Sequence, residues 1–491
     1  MTENEPGRVP SHVHPDTATS PAVSQTSERV HVVHAGSEPP EWLTELAGRL
    51  APARPNEAVV VVGAPLPEDG VEGLCERLTP ALDACRDTHV RLLLLVMSAG
   101  AHKTGKHPSA ARLICERWGL DVLATAGTAL VTPDGALFSP DLPGASGGWW
   151  HFSPGADARR VSSHLPIPDW EAAVKRVGRQ TVAGHVIEPV PAGLVVRPAG
   201  PAPVTAHIRP HAVPPERDRP QLILASELAP AAALAVVMAA LPEHVRRSLR
   251  LLSLEGRPLL RTGQALADLL GSDVRVAMGA PVATGNGIPR NAPVGDATVE
   301  PRMLDATGRP SWRPFARTVL CSPSADGGER APRVTEWQVS ASLRGGTEAD
   351  VLSLGGNHRV VVTPAGLWIG PHDSEPPLLA TARPVSSEGI AVDLGVPNRI
   401  LDDSVWSGLD TLFGLLEPDV RRRVVMHVDG VLGVKGQEHL LDLTSRYGFR
   451  TADPSLPAAS TDIARCGADA QHGIHTSSAG GTGLLAWLGT A

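Results

Sequence analysis

The residue set best placed to do chemistry is the loop GAHKTGKH, Gly100 to His107, between the apolar run LLLLVMSA and a helix-forming segment. It satisfies G-x-x-x-x-G-K in a strand-loop-helix setting, where backbone N–H groups and a lysine cradle phosphates. Gly100, Gly105 and Lys106 are therefore the candidate cofactor-binding residues. Against this, His107 stands where a serine or threonine would hold magnesium, and Pro108 follows it. Related segments read TGQ at Thr262 and KGQ at Lys435. A loop that ends Gly-Gln elsewhere is expected to be structural, and no cofactor is expected to bind.

Three pairs stand out among the 19 histidines: His102 with His107, His207 with His211 in HIRPH, and His472 with His475. HIRPH has the i, i+4 spacing of a helical metal pair, but it contains a proline in a proline-rich stretch and shows no third ligand. No metal site is expected. Ser98 in MSAG, with Asp121 and Asp134 nearby, lacks the G-x-S-x-G elbow of a nucleophilic serine. It is expected to be a small residue at a strand end. The five cysteines, Cys75, Cys85, Cys115, Cys321 and Cys466, show neither CxxC spacing nor a disulfide framework.

The elements that must position these residues recur along the chain. A Val-Arg step ahead of an apolar run appears as HVRLLLL from His89, HVRRSLRLLSL from His244 and DVRRRVVMHV from Asp419. Anchors about 155 and 175 residues apart are spaced like whole domains rather than solenoid units. After each apolar run a loop is expected to end in glycine (Gly105, Gly263, Gly436), and a helix then to close on Gly119, Gly271 or Gly448. Before each anchor lie a helix and a strand: AVVVVGAP, QLILASEL and GIAVDLG. Alternating strands and helices with near-continuous apolar strands predict a parallel sheet in an α/β unit.

The expected fold is therefore α/β, with three diverged copies of a small three-layer module and β-hairpin extensions at the Pro-x-Gly turns of VPAGLVVRP, TPAGLWIGP and TPDGALFSP. The expected boundaries are a disordered tail over 1–28, copies over 29–170, 184–322 and 346–459 (the last atypical), and a weakly ordered tail over 460–491. Linkers are expected at 171–183 and 323–345. Tryptophan-rich ends, GGWWHF and SWRPF, are expected to cover a sheet edge or the base of a neighbouring copy.

The run RLLLLVMSAG, the helix after it, GLDVLATAGTALVTPDGALF and GGWWHF together resemble a caspase-like (clan CD) α/β module of actinobacterial polymorphic-toxin and surface-type proteins. LADLLGSDV from Leu266 is similar to that module's helix pattern. The resemblance implies a nucleophilic cysteine at a strand end and a His-Gly after the preceding strand. This chain has Met97 and Leu254 at the first slot, with His427 or Val428 in the third copy. It has Gly63-Ala64 and Ala225-Ser226 at the second. Without thiolate and base that chemistry cannot run, so no catalytic residue is assigned.

Among 44 basic residues only Lys103, Lys106, Lys175 and Lys435 are lysines, a bias of GC-rich genomes that fits the actinobacterial resemblance. A formal net charge of −8 with no Arg/Lys stripe disfavours nucleic acid. The N-terminus shows no signal pattern, and the longest apolar stretch, Leu228 to Leu241, is too short to span a bilayer. The expectation is a cytoplasmic, non-catalytic interaction or scaffold protein with a protein partner. The alternatives are a P-loop-like nucleotide hydrolase using Gly100–Lys106, or a divergent hydrolase at the C-terminal strand ends.

Overall fold

The computed structural model describes residues 21–452, except 51, 53, 65, 67–68, 104, 106, 133–134, 143–146, 202–206, 227–228, 285–294, 297, 325–329, 339–350 and 355–356. The chain is mixed α/β. It divides into two compact units, one built from residues up to Ala129 with Gly148–Val161, the other from almost all of the remaining residues.

In the first unit the elements run β1 (Ala22–Ser27), β2 (Val30–His34), α1 (Glu41–Arg49), β3 (Glu57–Val62), α2 (Gly70–Asp87), β4 (Leu92–Val96), α3 (Ala110–Trp118), β5 (Asp121–Thr125), β6 (Trp149–Phe152) and β7 (Arg159–Ser162). They form one sheet in that order. Strands β2 to β5 are parallel, flanked by β1 and β6 running antiparallel. Every second residue of β3 and β4, from Ala58 and Val60 to Leu93 and Leu95, packs with Leu74, Leu78 and Ile114 of the helices. That alternation follows from the two-residue period of a strand.

Residues 22–27, expected to belong to a disordered tail, form β1. The segment pairs from Ala22↔His34 to Ser27↔Val30, which satisfies backbone groups that a bare edge would leave open. GGWWHF likewise enters the sheet as β6, with Trp149 fully buried.

The second unit carries two larger sheets. The first contains β8 (Gln180–Val182), β9 (His185–Val190), β10 (Gly193–Pro198), β11 (Gln221–Leu224), β12 (Arg250–Ser253), β13 (Val274–Ala277), β14 (Ala316–Cys321) and β15 (Arg333–Trp337), neighbours in that order. Helices α4 (Glu171–Val177), α5 (Ala231–Ala239), α6 (Glu243–Ser248) and α7 (Leu260–Leu270) accompany it. The other sheet contains β16 (Val351–Ser353), β17 (His358–Thr363), β18 (Gly366–Pro371), β19 (Ile390–Leu394), β20 (Val424–Val428) and β21 (Arg450–Thr451). With it run α8 (Leu378–Thr381), α9 (Val405–Leu415), α10 (Pro418–Arg423) and α11 (Val434–Tyr447). In both sheets a Pro-x-Gly hairpin (β9–β10, β17–β18) leads into parallel strands, β10 to β13 and β18 to β21.

The hairpin glycines do more than turn. Gly193 and Gly366 have φ of +145° and +157°. A Cβ there would lie 2.1 Å from the Gln221 carbonyl oxygen and 2.0 Å from that of Ala391. The next parallel strand thus lies against the glycine backbone, which explains the residue type by close approach as well as by torsion.

Three expectations need correction. Residues 171–183 are not a linker, because Glu171–Val177 is helical and Gln180–Val182 pairs with β9. Within 323–345, Arg333–Trp337 pairs with β14 as an edge strand. Gly263 and Gly436 do not end loops. They lie in the first turns of α7 and α11, where added Cβ atoms would meet Val276 and Cys321, or Leu432 and Trp406. Gly119, Gly271 and Gly448 do close their helices, at φ of +66°, +59° and +71°. Met278, Met303, Trp312 and Phe315 share one apolar cluster with Val360, Leu367, Val392 and Phe413, so the two sheets of the second unit have a core in common.

Candidate functional site

The Gly100–His107 loop leads to a helix whose first turn serves its own chain. Helix α3 begins only at Ala110, its Ala111 N–H donates to the Gly100 carbonyl at 2.9 Å, and Arg112 N–H donates to Ser109 Oγ at 3.2 Å. Two of the N–H groups that a helix N-terminus would offer to a phosphate are thus already engaged. Lys106 lies outside the described residues. His102 and His107 are exposed, with His107 Nδ1 3.9 Å from Glu72.

Ser98 Oγ accepts the Ala129 N–H at 3.0 Å and so ties down a loop. Asp121 lies 3.6 Å from His151, while Asp134 is outside the described residues. Met97 and Leu254 are each 3% exposed within apolar clusters. Burial pushes the thiols of Cys75 and Cys115 up to about 11 and that of Cys321 to about 12, and it raises Cys85 as well. Those thiols are packing groups rather than thiolates. His211 sits in the helical turn Arg209–Ala212, its protonated form disfavoured by burial. Cys466, His472 and His475 lie outside the described residues. Among the described residues no three His, Cys, Asp or Glu side chains are placed to hold a metal.

What the fold does bring together lies on the third sheet. One face of β19 carries Ile390, Val392 and Leu394 into the apolar core, so Ala391 and Asp393 point to the other face. Register places Trp368, Asp393 and His427 side by side on β18, β19 and β20. The Asp393 side chain is completely buried. Arg383, from the connection between β18 and β19, donates to Asp393 Oδ1 through Nε at 2.8 Å and also through Nη2. Asp393 Oδ2 and Asp429 Oδ2 are buried atoms without a hydrogen-bond partner. Trp368 Nε1 donates to the Gly395 carbonyl at 2.9 Å. Its indole lies over Gly370, where a Cβ would come within 2.1 Å of the ring.

No protein-family model, curated protein or solved structure matches this chain. The chemistry of the cluster must therefore be read from its own electrostatics. Burial raises the Asp393 carboxyl to about 6, with Asp429 adding to the rise and Arg383 opposing it. Asp429 is raised by burial too, again opposed by Arg383. His427 is lowered to about 4, first by burial and then by Arg383, so it is neutral at pH 7. One guanidinium thus stands among two carboxylates and a neutral imidazole. The set offers unfilled hydrogen-bond acceptors in a poorly solvated place.

The neighbouring sheet shows that this polarity is not demanded by the architecture. Counting from the two hairpin glycines, the places of Trp368, Asp393 and His427 are taken by Val195, Ile223 and Leu252. All three are buried in an apolar cluster. Sequence reasoning named His427 as a substitute in the cysteine slot but missed Asp393, Arg383 and Asp429. The available signal was charge inside apolar runs, the aspartates of GIAVDLG and VVMHVDG.

At the C-terminal strand ends of the same sheet the loops after β19 and β20 are stitched by Val431 N–H to Arg399 O at 2.9 Å and Leu401 N–H to Val431 O at 3.1 Å. They border a shallow depression of about 550 Å³ lined by Ile400, Asp402, Asp403, Val434 and Lys435.

Proposed function

We propose that the chain is a non-catalytic interaction or scaffold protein that works in the cytoplasm with a protein partner, built from three diverged copies of one α/β module. The observation that carries this reading is the environment of the two slots where a caspase-like enzyme would keep its thiol. Met97 and Leu254 are core side chains, and the described cysteines are buried with raised pKa values. A module under selection for thiol chemistry keeps an accessible, electropositive cysteine. One that serves as scaffold fills the slot with apolar volume.

The recurrence of strand order supports the repeat. In each large sheet an antiparallel partner precedes parallel strands joined through helices, β2 to β5, β10 to β13 and β18 to β21. The net charge of −8 favours a protein rather than a nucleic-acid partner, and no helix among the described residues is long and apolar enough to cross a membrane.

The test is labelling of the native protein with a fluorescent iodoacetamide at pH 7, resolved by peptide mapping. Cys75, Cys85, Cys115 and Cys321 are expected to react only after denaturation. Rapid stoichiometric labelling of any one of them in the folded protein would overturn the proposal.

A further inference from the structure

We infer that the polar face of the third sheet is a binding site for a monovalent organic cation that donates N–H hydrogen bonds, an alkylammonium or alkylguanidinium, received by Asp393 Oδ2 and Asp429 Oδ2 beside His427. The inference goes beyond the scaffold reading and does not depend on it, because that reading is carried by Met97 and Leu254, neither of which belongs to this sheet.

Three observations carry it. The Asp393 side chain is fully buried, yet only its Oδ1 is engaged, by Arg383; Oδ2 has no partner. A carboxylate oxygen withdrawn from water without a donor is costly, and such an atom calls for a physical reason, a bound donor among them. Asp429, which follows β20 on the strand of His427, presents a second buried oxygen in the same condition. The equivalent places in the neighbouring sheet are Val195, Ile223 and Leu252, so a dry apolar face would have satisfied the fold.

The charges select the ligand's sign. Arg383 offsets one of the two carboxylates, and His427, next to that guanidinium, carries no charge at neutral pH. Arg359, on the Trp368 side, is engaged by Glu375 and by the Ser374 carbonyl. One negative charge is left on Asp393 and Asp429, and both open oxygens accept rather than donate. An anion would be repelled by that charge, although Arg359 Nε on the Trp368 side is a buried donor without a partner. A quaternary ammonium, which lacks N–H, would leave the oxygens unfilled. His427 and Asp429 are half-exposed and give the side of approach.

Isothermal titration of the whole protein at pH 7.5 with n-butylammonium and n-butylguanidinium chloride tests this, with n-butanol and tetramethylammonium chloride as controls. Saturable binding of at least one of the first two is expected, at least tenfold tighter than either control. Asp429→Asn, at a half-exposed position, is expected to weaken it tenfold or more while the circular-dichroism spectrum and melting temperature stay near those of the parent. Affinity is expected to fall as the pH drops from 7 to 5, because protonated Asp393 no longer attracts a cation; Arg383, His427 and Asp429 are the other titratable groups on this cluster. Absence of binding by both cations, equal binding of tetramethylammonium, or full affinity in a folded Asp429→Asn protein would each overturn the assignment.

Discussion

Ile223 and Asp393 occupy the same place in two sheets: each lies two residues beyond the strand residue that pairs with a hairpin glycine, Gln221 opposite Gly193 and Ala391 opposite Gly366. One is an apolar side chain in an apolar cluster; the other is a carboxylate that needs Arg383. Equal backbone frames thus hold opposite chemistries.

That contrast sets the first prediction. Arg383→Met leaves Asp393 buried and unpaired, which costs about 3 kcal/mol at pH 7.5. In the parent, the folded-state pKa of Asp393 is about 6, above its ordinary 3.8. Its favourable contribution is therefore complete below about pH 4 and is lost as the pH rises through about 6. Removing the guanidinium raises the carboxyl further, so the variant's deficit should shrink at pH 5. Urea unfolding of both proteins at pH 5 and 7.5 checks this; an equal deficit at both would show that Arg383 acts through packing alone.

The second prediction concerns the hairpin glycine. Gly366→Ala puts a methyl group against the Ala391 carbonyl and forces an unfavourable φ, and should cost about 3 kcal/mol. Gly119→Ala meets only the torsional penalty, since nothing lies within 4 Å of its Cβ position, and should cost about 1 kcal/mol. Comparable losses in thermal unfolding would mean that close approach to the next strand contributes nothing.

Met97 offers a third. Met97→Asp buries a carboxylate among Leu95, Ile114 and their neighbours and should destabilise the first unit by about 4 kcal/mol. An unchanged melting temperature would show that the slot is solvated, as an active-site pocket would be.

Nucleotides supply the fourth. A preformed site would stabilise the fold by about 2.7 kcal/mol at a hundredfold excess over the dissociation constant. With the Ala111 and Arg112 N–H groups engaged by Gly100 and Ser109, no melting shift is expected with ATP or GTP plus magnesium. A shift removed by Lys106→Ala would establish a phosphate site at this loop.

The apolar strands were legible because their residues are branched and contiguous, as in AVVVV and RLLLLV, and burial on both faces leaves no other reading for them. The C-terminal glycines were legible for a local reason, a left-handed torsion at the helix end. Edge strands were not. Ala22–Ser27 and Gln180–Val182 are short and half polar, and they are strands because a neighbour offers hydrogen bonds, a fact of tertiary structure alone. The Asp393 cluster stayed hidden for a related reason. Its members come from three segments, around 383, 393 and 427–429, and only strand register sets them on one face.

The apolar cluster running from Met278 and Trp312 to Leu367 and Phe413 bears on how the molecule can be divided. A fragment begun at residue 346 would take the third sheet away from the side chains that cover part of its inner face, and a fragment stopped at 322 would leave Met303 and Phe315 without theirs. Once two sheets share an interior, neither can be excised as an autonomous domain. Their melting should register as one cooperative transition.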